Sequence, residues 1–291
     1  MRQAYRSAYP PWTEAQLSPS ELATLSAFIH QHCGIVFPLS KKLSLEVRLR
    51  KRLRALGLTT FAAYIPRVVG PAAQPDEVVR MIDEVTTNKT DFFREPAHFD
   101  YLVAEAVPAL IGAPDTDPNR KLVIWSAACA SGEEVYTLAM ALEGATYQGR
   151  PVRYSIVGTD ICTEVLRTAR RAVYPEKSIE PIPAALRRRH LLQSRRGSGL
   201  VRITPRLRAR VRFAHLNLLA PFTLRGHADV IFCRNVLIYF DRRTQERVLT
   251  RLCLTLGPGG YLFLGHSDSI TGLTLPLCHL KPSVYRKQLT P

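Results

Sequence analysis

An α/β domain on a mostly parallel sheet, preceded by a small all-helical domain, is what this sequence predicts, and three observations predict it. Leu122-Val123-Ile124-Trp125 is a short apolar run, β-branched at two positions, that reads as a buried parallel strand. A loop of small residues, Ser126 to Gly132, follows it and leads into Glu133-Glu134 and a helical recurrence of Val135, Leu138, Ala139 and Leu142. A second strand, Tyr154 to Asp160, ends in an acid. Small side chains in the loop let a ligand approach the backbone, and the helix N-terminus favours an anionic group. A carboxylate at the tip of the second strand suits ribose hydroxyls. The loop lacks G-x-G-x-x-G, so this geometry alone implies a nucleoside-type ligand and no more.

Residues 1–16 show no periodicity and read as a loose tail. Residues 17–86 read as the helical domain. Ser18-Pro19-Ser20-Glu21 is a capping box with proline in the first turn, and Leu22, Leu25, Phe28 and Ile29 form the face behind it. Lys42 to Leu56 is a second helix with Leu45, Leu49, Leu53 and Leu56 on one side. Lys41, Lys42, Arg48, Arg50, Lys51, Arg52 and Arg54 fill much of the rest, opposed within the helix by Glu46, so this face reads as a docking surface for an acidic partner. Phe61–Val69 and Glu77–Val85 complete the domain. Residues 87–120 carry a motif, an amphipathic helix with Phe99, Leu102, Val103, Ala106 and Leu110, and the turn-rich linker Gly112 to Asn119.

Residues 121–291 form the α/β domain. Further helices are expected at Glu133–Glu143, Thr163–Ala172 and about Arg243–Leu256, and further strands at Ala228–Cys233 and Tyr261–Gly265. Leu277 to Arg286 supplies a closing pair of strands. At about 177–213 the rhythm breaks, and Val201, Ile203, Val211 and Phe213 alternate as in a small antiparallel insert.

The 291 residues are ample for a large core, and no apolar run approaches the roughly 18 residues of a membrane span. The six cysteines are scattered without a C-x-x-C pair, and no signal-peptide pattern opens the chain, which together imply reduced thiols in a cytoplasmic protein and no metal. Forty Lys and Arg against 24 Asp and Glu give +16, a charge that attracts an acidic partner.

Three more stretches carry chemistry: Thr86-Thr87-Asn88-Lys89-Thr90-Asp91-Phe92-Phe93-Arg94-Glu95, Phe232-Cys233-Arg234-Asn235-Val236-Leu237-Ile238-Tyr239-Phe240-Asp241, and Gly265-His266-Ser267-Asp268. With the loop after the first strand, they resemble the chemotaxis receptor methyltransferases, the CheR-type S-adenosylmethionine enzymes, from about Leu17 to Arg286. The resemblance implies a Rossmann-like class I methyltransferase domain with a small β-subdomain. It implies methyl transfer from S-adenosyl-L-methionine to glutamate carboxylates on the cytoplasmic helical bundle of chemoreceptors, with S-adenosyl-L-homocysteine as product. By motif, Asn88, Thr90 and Arg94 face the cofactor and the transfer site, and Glu134 takes the cofactor's methionine end. Asp160 holds the ribose, Asn217 and Leu218 border the adenine, Arg234 and Asn235 enter the site after the fourth strand, and Tyr239 lies beside the methyl group. Arg94 and Tyr239 are the expected catalytic pair. Arg48, Arg50, Lys51 and Arg54 are the expected substrate-docking residues. In some members the β-subdomain also grips a receptor C-terminal peptide. Two departures stand out, Val135 where the family has proline and Asp268 where it has glutamate.

Two other readings share the fold. A nucleic-acid methyltransferase suits the charge, but Arg234-Asn235-Val236-Leu237 stands where an Asn/Asp-Pro-Pro-Tyr loop is expected, so no nucleic-acid partner is predicted. A non-catalytic cofactor-binding adaptor is disfavoured by the presence of both Arg94 and Tyr239.

Overall fold

The computed structural model describes residues 11–113, 117, 120–194, 197–222 and 226–288. The tail 1–10, most of the expected linker between Gly112 and Asn119, and the Arg195-Arg196 turn lie outside the described residues. The chain divides after Thr87 into two compact units.

The first unit is all helical. Helix α1 (Pro19–Cys33) starts on the expected reciprocal cap: the Glu21 amide donates to Ser18 Oγ at 3.2 Å and the Ser18 amide to Glu21 Oε2 at 2.7 Å. Helices α2 (Lys42–Leu56), α3 (Phe61–Tyr64) and α4 (Pro75–Val85) follow. Leu45, Leu49 and Leu53 of α2 are buried, as are Leu25, Ile29, Tyr64, Met81 and Val85. The cations of α2 meet more acid than its own sequence offers. Arg52 makes two parallel bonds to Glu77, at 2.9 and 2.8 Å, and Tyr64 Oη donates to the same carboxylate at 3.0 Å. Lys51 pairs with Glu84 at 2.9 Å. The supposedly loose stretch before α1 is also partly ordered. Ala15 and Leu17 are buried, Arg50 donates to the Ala15 carbonyl at 2.8 Å, and Arg54 lies over the Trp12 ring at 5.5 Å. Periodicity carries no sign of this, because a short irregular segment is held by side chains of a helix some 35 residues on.

In the second unit a helical run covers Ala97–Ile111, but not uniformly. Helix α5 (Ala97–Tyr101) passes through a π turn at Leu102–Ala106 into α6 (Val107–Ile111). Pro108 has no N–H to give the Ala104 carbonyl, which accounts for the widened turn. Strand β1 (Leu122–Ala127), helix α7 (Glu133–Leu142), a two-residue hairpin pair β2 (Thr146–Tyr147) and β3 (Arg150–Pro151), strand β4 (Tyr154–Asp160) and helix α8 (Thr163–Arg171) come next. Then come β5 (Val173–Pro175), α9 (Ala184–His190), β6 (Leu191–Gln193), β7 (Leu200–Ile203), α10 (Pro205–Arg208) and β8 (Val211–His215). The chain closes with β9 (Ala228–Cys233), α11 (Arg242–Thr255), β10 (Leu256–Leu264), β11 (Leu277–Lys281) and β12 (Val284–Lys287).

The main sheet has seven strands in the order β11-β12-β10-β9-β1-β4-β8. Strands β8, β4, β1, β9 and β10 are parallel neighbours, and β12 runs antiparallel to both β10 and β11. Both faces are covered, which is why the central strands read as unbroken apolar runs. Ile124, Phe232 and Phe263 join one core with Phe92, Phe99 and Tyr136. Their neighbours Trp125, Ile231, Leu262 and Leu264 join a second core with Val248, Leu249 and Leu252 of α11. The small antiparallel sheet is β5-β7-β6. This corrects the expected insert: Val211 and Phe213 belong to β8, the parallel edge strand of the main sheet, while Val173–Pro175 joins the small sheet. An edge strand buries alternate residues, so its pattern equals that of a strand in an antiparallel insert. Among the described residues, no helix is long and apolar enough to cross a membrane.

Candidate active site

The carboxyl ends of β1, β4, β8 and β9 converge with the segment before α5, all within the second unit. The loop after β1 has left-handed backbone at Ala128, Ala130 and Gly132. Ala128 and Ala130 carry a Cβ, so the loop incurs a backbone cost there that surrounding bonds must offset. Its conformation is fixed by Asp160 at the tip of β4. Asp160 Oδ2 accepts the Ala130 amide at 2.8 Å and Oδ1 accepts the Cys162 amide at 2.9 Å. Burial raises the Asp160 pKa, and these amide bonds pull the other way. Each carboxylate oxygen keeps acceptor capacity for a hydroxyl.

Glu134 stands in the first turn of α7. Its Oε1 accepts Ser126 Oγ at 2.7 Å and its Oε2 pairs with Arg234 Nη1 at 3.0 Å. Arg234, just beyond β9, is buried. Its Nη2 lies 2.9 Å from Glu95 Oε2 and donates to the Arg94 carbonyl, and its guanidinium lies 5.5 Å over the Phe99 ring. Asn235 adopts φ +57°; its amide donates to Asp268 Oδ2, and its Nδ2 lies 3.4 Å from Glu95 Oε1. Asp268 Oδ2 also accepts the Gly265 amide at 2.9 Å, so the aspartate found in place of the family's glutamate closes this turn. Val135, the other departure, is fully buried and packs against the bare backbone of Gly158 in β4.

Arg94 is half-buried. Its Nη1 donates to the Lys89 carbonyl at 3.2 Å and its Nε lies 3.9 Å from Glu95 Oε1. Asn88 and Thr90 are half-buried in the same loop. Asn217, after β8, caps its own turn by accepting the Leu219 amide at 2.9 Å, and Leu218 is buried in the second core. Arg251 of α11 donates to the carbonyls of Leu218, Leu219 and Ala220 and holds that turn down. Tyr239 lies half-buried in a single turn, Leu237–Tyr239, beyond Asn235.

Direct bonds therefore join Arg94 and Glu134 to Arg234, and Asn235 reaches the same cluster through Glu95. Asp160 is joined to the loop after β1, whereas Tyr239 and Asn217 are placed by their turns. Arg48, Arg50, Lys51 and Arg54 belong to the first unit. Arg48 is committed there to the end of α4, donating to the carbonyls of Val85 and Thr86 and, at 2.8 Å, to Thr87 Oγ1. Glu95, Ser126 and Asp268 also stand in this cluster, and although all three lie inside the motif stretches, nothing local in the sequence singles them out. Glu95, His98 and His266 bring three ligand-type atoms within 4.8 Å of one another. The Arg234 guanidinium already supplies the positive charge there. Burial and that guanidinium push the His98 pKa down to about 4, so its ring is neutral.

A nucleoside carrying a charged amino-acid end fits this donor set: a strand-tip carboxylate, a loop of small residues and an acid at a helix start. Residues 88–285 match the family described as CheR methyltransferase, SAM binding domain, and residues 20–86 match CheR methyltransferase, all-alpha domain. The chain is 34% identical over 273 residues to the chemotaxis protein methyltransferase of Borreliella burgdorferi, covering 93% of this chain and 95% of that protein. It is 38% identical over 259 residues to the chemotaxis protein methyltransferase of Escherichia coli, covering 88% and 87%. It is 39% identical over 243 residues to chemotaxis protein methyltransferase 2 of Pseudomonas aeruginosa, covering 83% of each. With both matched stretches in order along the chain, each coinciding with one of its two units, the chain belongs to the CheR family of S-adenosylmethionine-dependent methyltransferases.

Proposed function

We propose that this chain methylates glutamate side chains on the cytoplasmic helical bundle of chemoreceptors, giving γ-carboxyl methyl esters. S-adenosylmethionine supplies, when bound, an electrophilic methyl group on a sulfonium. A glutamate is ionised at neutral pH, so no general base is needed. What remains for the protein is alignment and exclusion of water. Arg94 is the residue to hold the incoming carboxylate, since a guanidinium can give it two parallel hydrogen bonds. Tyr239 offers a hydroxyl to hold an oxygen or crowd the transferred group into line. Asp160 binds ribose hydroxyls, Glu134 the amino group, and Asn217 and Leu218 border the base. Asn88, Thr90, Arg234 and Asn235 complete the wall.

Docking falls to the first unit. The face of α2 offers Lys51 and Arg54 beside Trp12 and Val47 around a groove of about 510 Å³. Leu39, Leu43 and Val47 are 72, 65 and 53% exposed at four-residue spacing. A charged and apolar stripe of this kind fits an amphipathic helix bordered by acids. In the small sheet, a second groove of about 490 Å³ is lined by Ile179, Arg187, Arg188, Leu191 and Val201 among others, and it fits an apolar peptide ending in a carboxylate.

The observation that carries this reading is Arg94, tied through its carbonyl to Arg234 and so held at the carboxyl ends of the strands. The test is incubation with methyl-labelled S-adenosylmethionine and receptor-bearing membranes. Base-labile label on a receptor band is expected, and Arg94→Ala should lose at least about a hundredfold in turnover while staying folded. Label on nucleic acid, or base-stable label, would overturn the reading.

A further inference from the structure

We propose that Glu95 is the positioning residue of this site, acting on the reaction through Arg234 and Arg94; the proposal rests on the site reading above. Three observations carry it. The first is charge. The buried Arg234 guanidinium lies between two carboxylates, Glu134 at 3.0 Å and Glu95 at 2.9 Å. A buried guanidinium left without an acid is costly. Glu134 is the acid assigned to a cationic ligand group, so its hold on Arg234 weakens when that group arrives. Glu95 is the partner that stays, and it keeps Arg234 in place in both states.

The second is backbone strain. Phe93 and Glu95 both sit in the left-handed region, with φ of 52° and 58°, on either side of Arg94. Neither is glycine, and each such residue costs about 1–2 kcal/mol, so the turn persists only if its surroundings hold it. The holding bonds run to Glu95 and its neighbours. The Phe93 amide donates to Thr137 Oγ1 at 3.1 Å, the Arg94 carbonyl accepts Arg234 Nη2, and Glu95 Oε2 accepts the His266 amide at 3.3 Å.

The third is convergence. One carboxylate meets Arg234, Arg94 Nε at 3.9 Å, Asn235 Nδ2 at 3.4 Å and the His266 amide. It thereby joins the segment before α5, the end of β9 and the turn after β10. Burial raises the Glu95 pKa, but Arg234 and Asn235 outweigh it and leave it lowered, in keeping with a permanently charged anchor.

The test uses the full chain with Glu95→Gln, Glu95→Asp and the double variant with Arg94→Ala. Glu95→Gln should lower kcat for receptor methylation about tenfold or more, with S-adenosylhomocysteine affinity falling by a smaller factor and KM for receptor little changed. Glu95→Asp, which keeps the charge, should recover part of that loss. In the Arg94→Ala background, Glu95→Gln should cost less than about twofold further. The guanidinium protons of Arg234, followed by nitrogen-15 NMR, should exchange slowly in the wild type and be lost to exchange in Glu95→Gln. An unchanged kcat, fully multiplicative losses in the double variant, or an unchanged Arg234 signal would each overturn the proposal. The NMR signal needs no turnover, so an inactive wild-type chain would sink the site reading while the Arg234 signal still decided the role of Glu95.

Discussion

Asp160 Oδ2 accepts the backbone amide of Ala130 at 2.8 Å, so the tip of the second strand holds the shape of the loop after the first. This carboxylate fixes the left-handed loop and, in the proposed function, also binds the ribose. Asp160→Asn keeps the size but turns one acceptor into a donor, which cannot serve both Ala130 and Cys162. S-adenosylmethionine affinity should fall at least about tenfold, with a loss of thermal stability as well, because charge-assisted bonds of about 1.5–3 kcal/mol each are involved. Calorimetric affinity equal to wild type would remove Asp160 from the site.

Gly265 is the next test. A Cβ there would run into the Asn235 side chain and come within 2.7 Å of the Asn235 backbone nitrogen, which cannot move aside while it donates to Asp268. Gly265→Ala should therefore displace Asn235 and lower cofactor affinity about tenfold or more. Ala at a distant open position, Gly144, should have no such effect. Equal affinities in the two variants would show that Asn235 does not wall the site.

How far the sequence reached depended on how local each signal was. Strands β1, β4 and β9 and the loop Ser126 to Gly132 were legible because a strand covered on both faces must be apolar throughout. Alternation alone places strand β8 in the wrong sheet, because Val211 and Phe213 alternate in the same way whichever neighbour they pair with, and only pairing to Ile156 and Gly158 decides it. Glu95 lies inside a motif, yet its partners Arg234, Asn235 and His266 are far along the chain, so nothing near it in sequence marks it as a hub. The face of α2 looked free for the same reason, because Glu77 and Glu84 reach it from another helix.

His98 gives a pH signature. It is buried beside Phe263 and His266, with Glu95, Arg234 and the Pro282 carbonyl also acting on it. Its folded-state pKa is depressed from 6.5 to about 4, by burial first and by Arg234 second. The unfolded chain binds the proton more readily, so protonation favours unfolding. The stability this neutral ring contributes is complete above about pH 6.5 and is lost as pH falls toward 4. His98→Gln should flatten the fall in Tm between pH 7 and pH 4.5 relative to wild type, whatever it does to Tm at pH 7. Parallel Tm profiles would assign the acid sensitivity to other groups.

The last prediction separates two kinds of cation on α2. Arg52 makes a two-pronged pair with Glu77, whose side chain is 3% exposed, and Tyr64 completes the cluster. Removing one member of a buried pair strands the other charge, at a cost of about 3–5 kcal/mol. Arg52→Ala should therefore unfold or strongly destabilise the first unit, seen as loss of its helical signal on mild heating. Lys51 and Arg54 stand differently. Lys51 is 67% exposed in its pair with Glu84, a surface contact worth at most about 1 kcal/mol, and Arg54 packs on Trp12 at the rim of the groove. Reversing both to Glu should leave the fold and S-adenosylmethionine binding intact. It should raise the KM for receptor and flatten the salt dependence of methylation, because complementary charge steers encounter more than it anchors it. Leu43→Ser, on the apolar stripe, should raise the same KM without changing the salt slope, since no charge is lost. If both the double reversal and Leu43→Ser leave receptor KM unchanged in a folded protein, this face of α2 is only solvated surface and docking lies elsewhere.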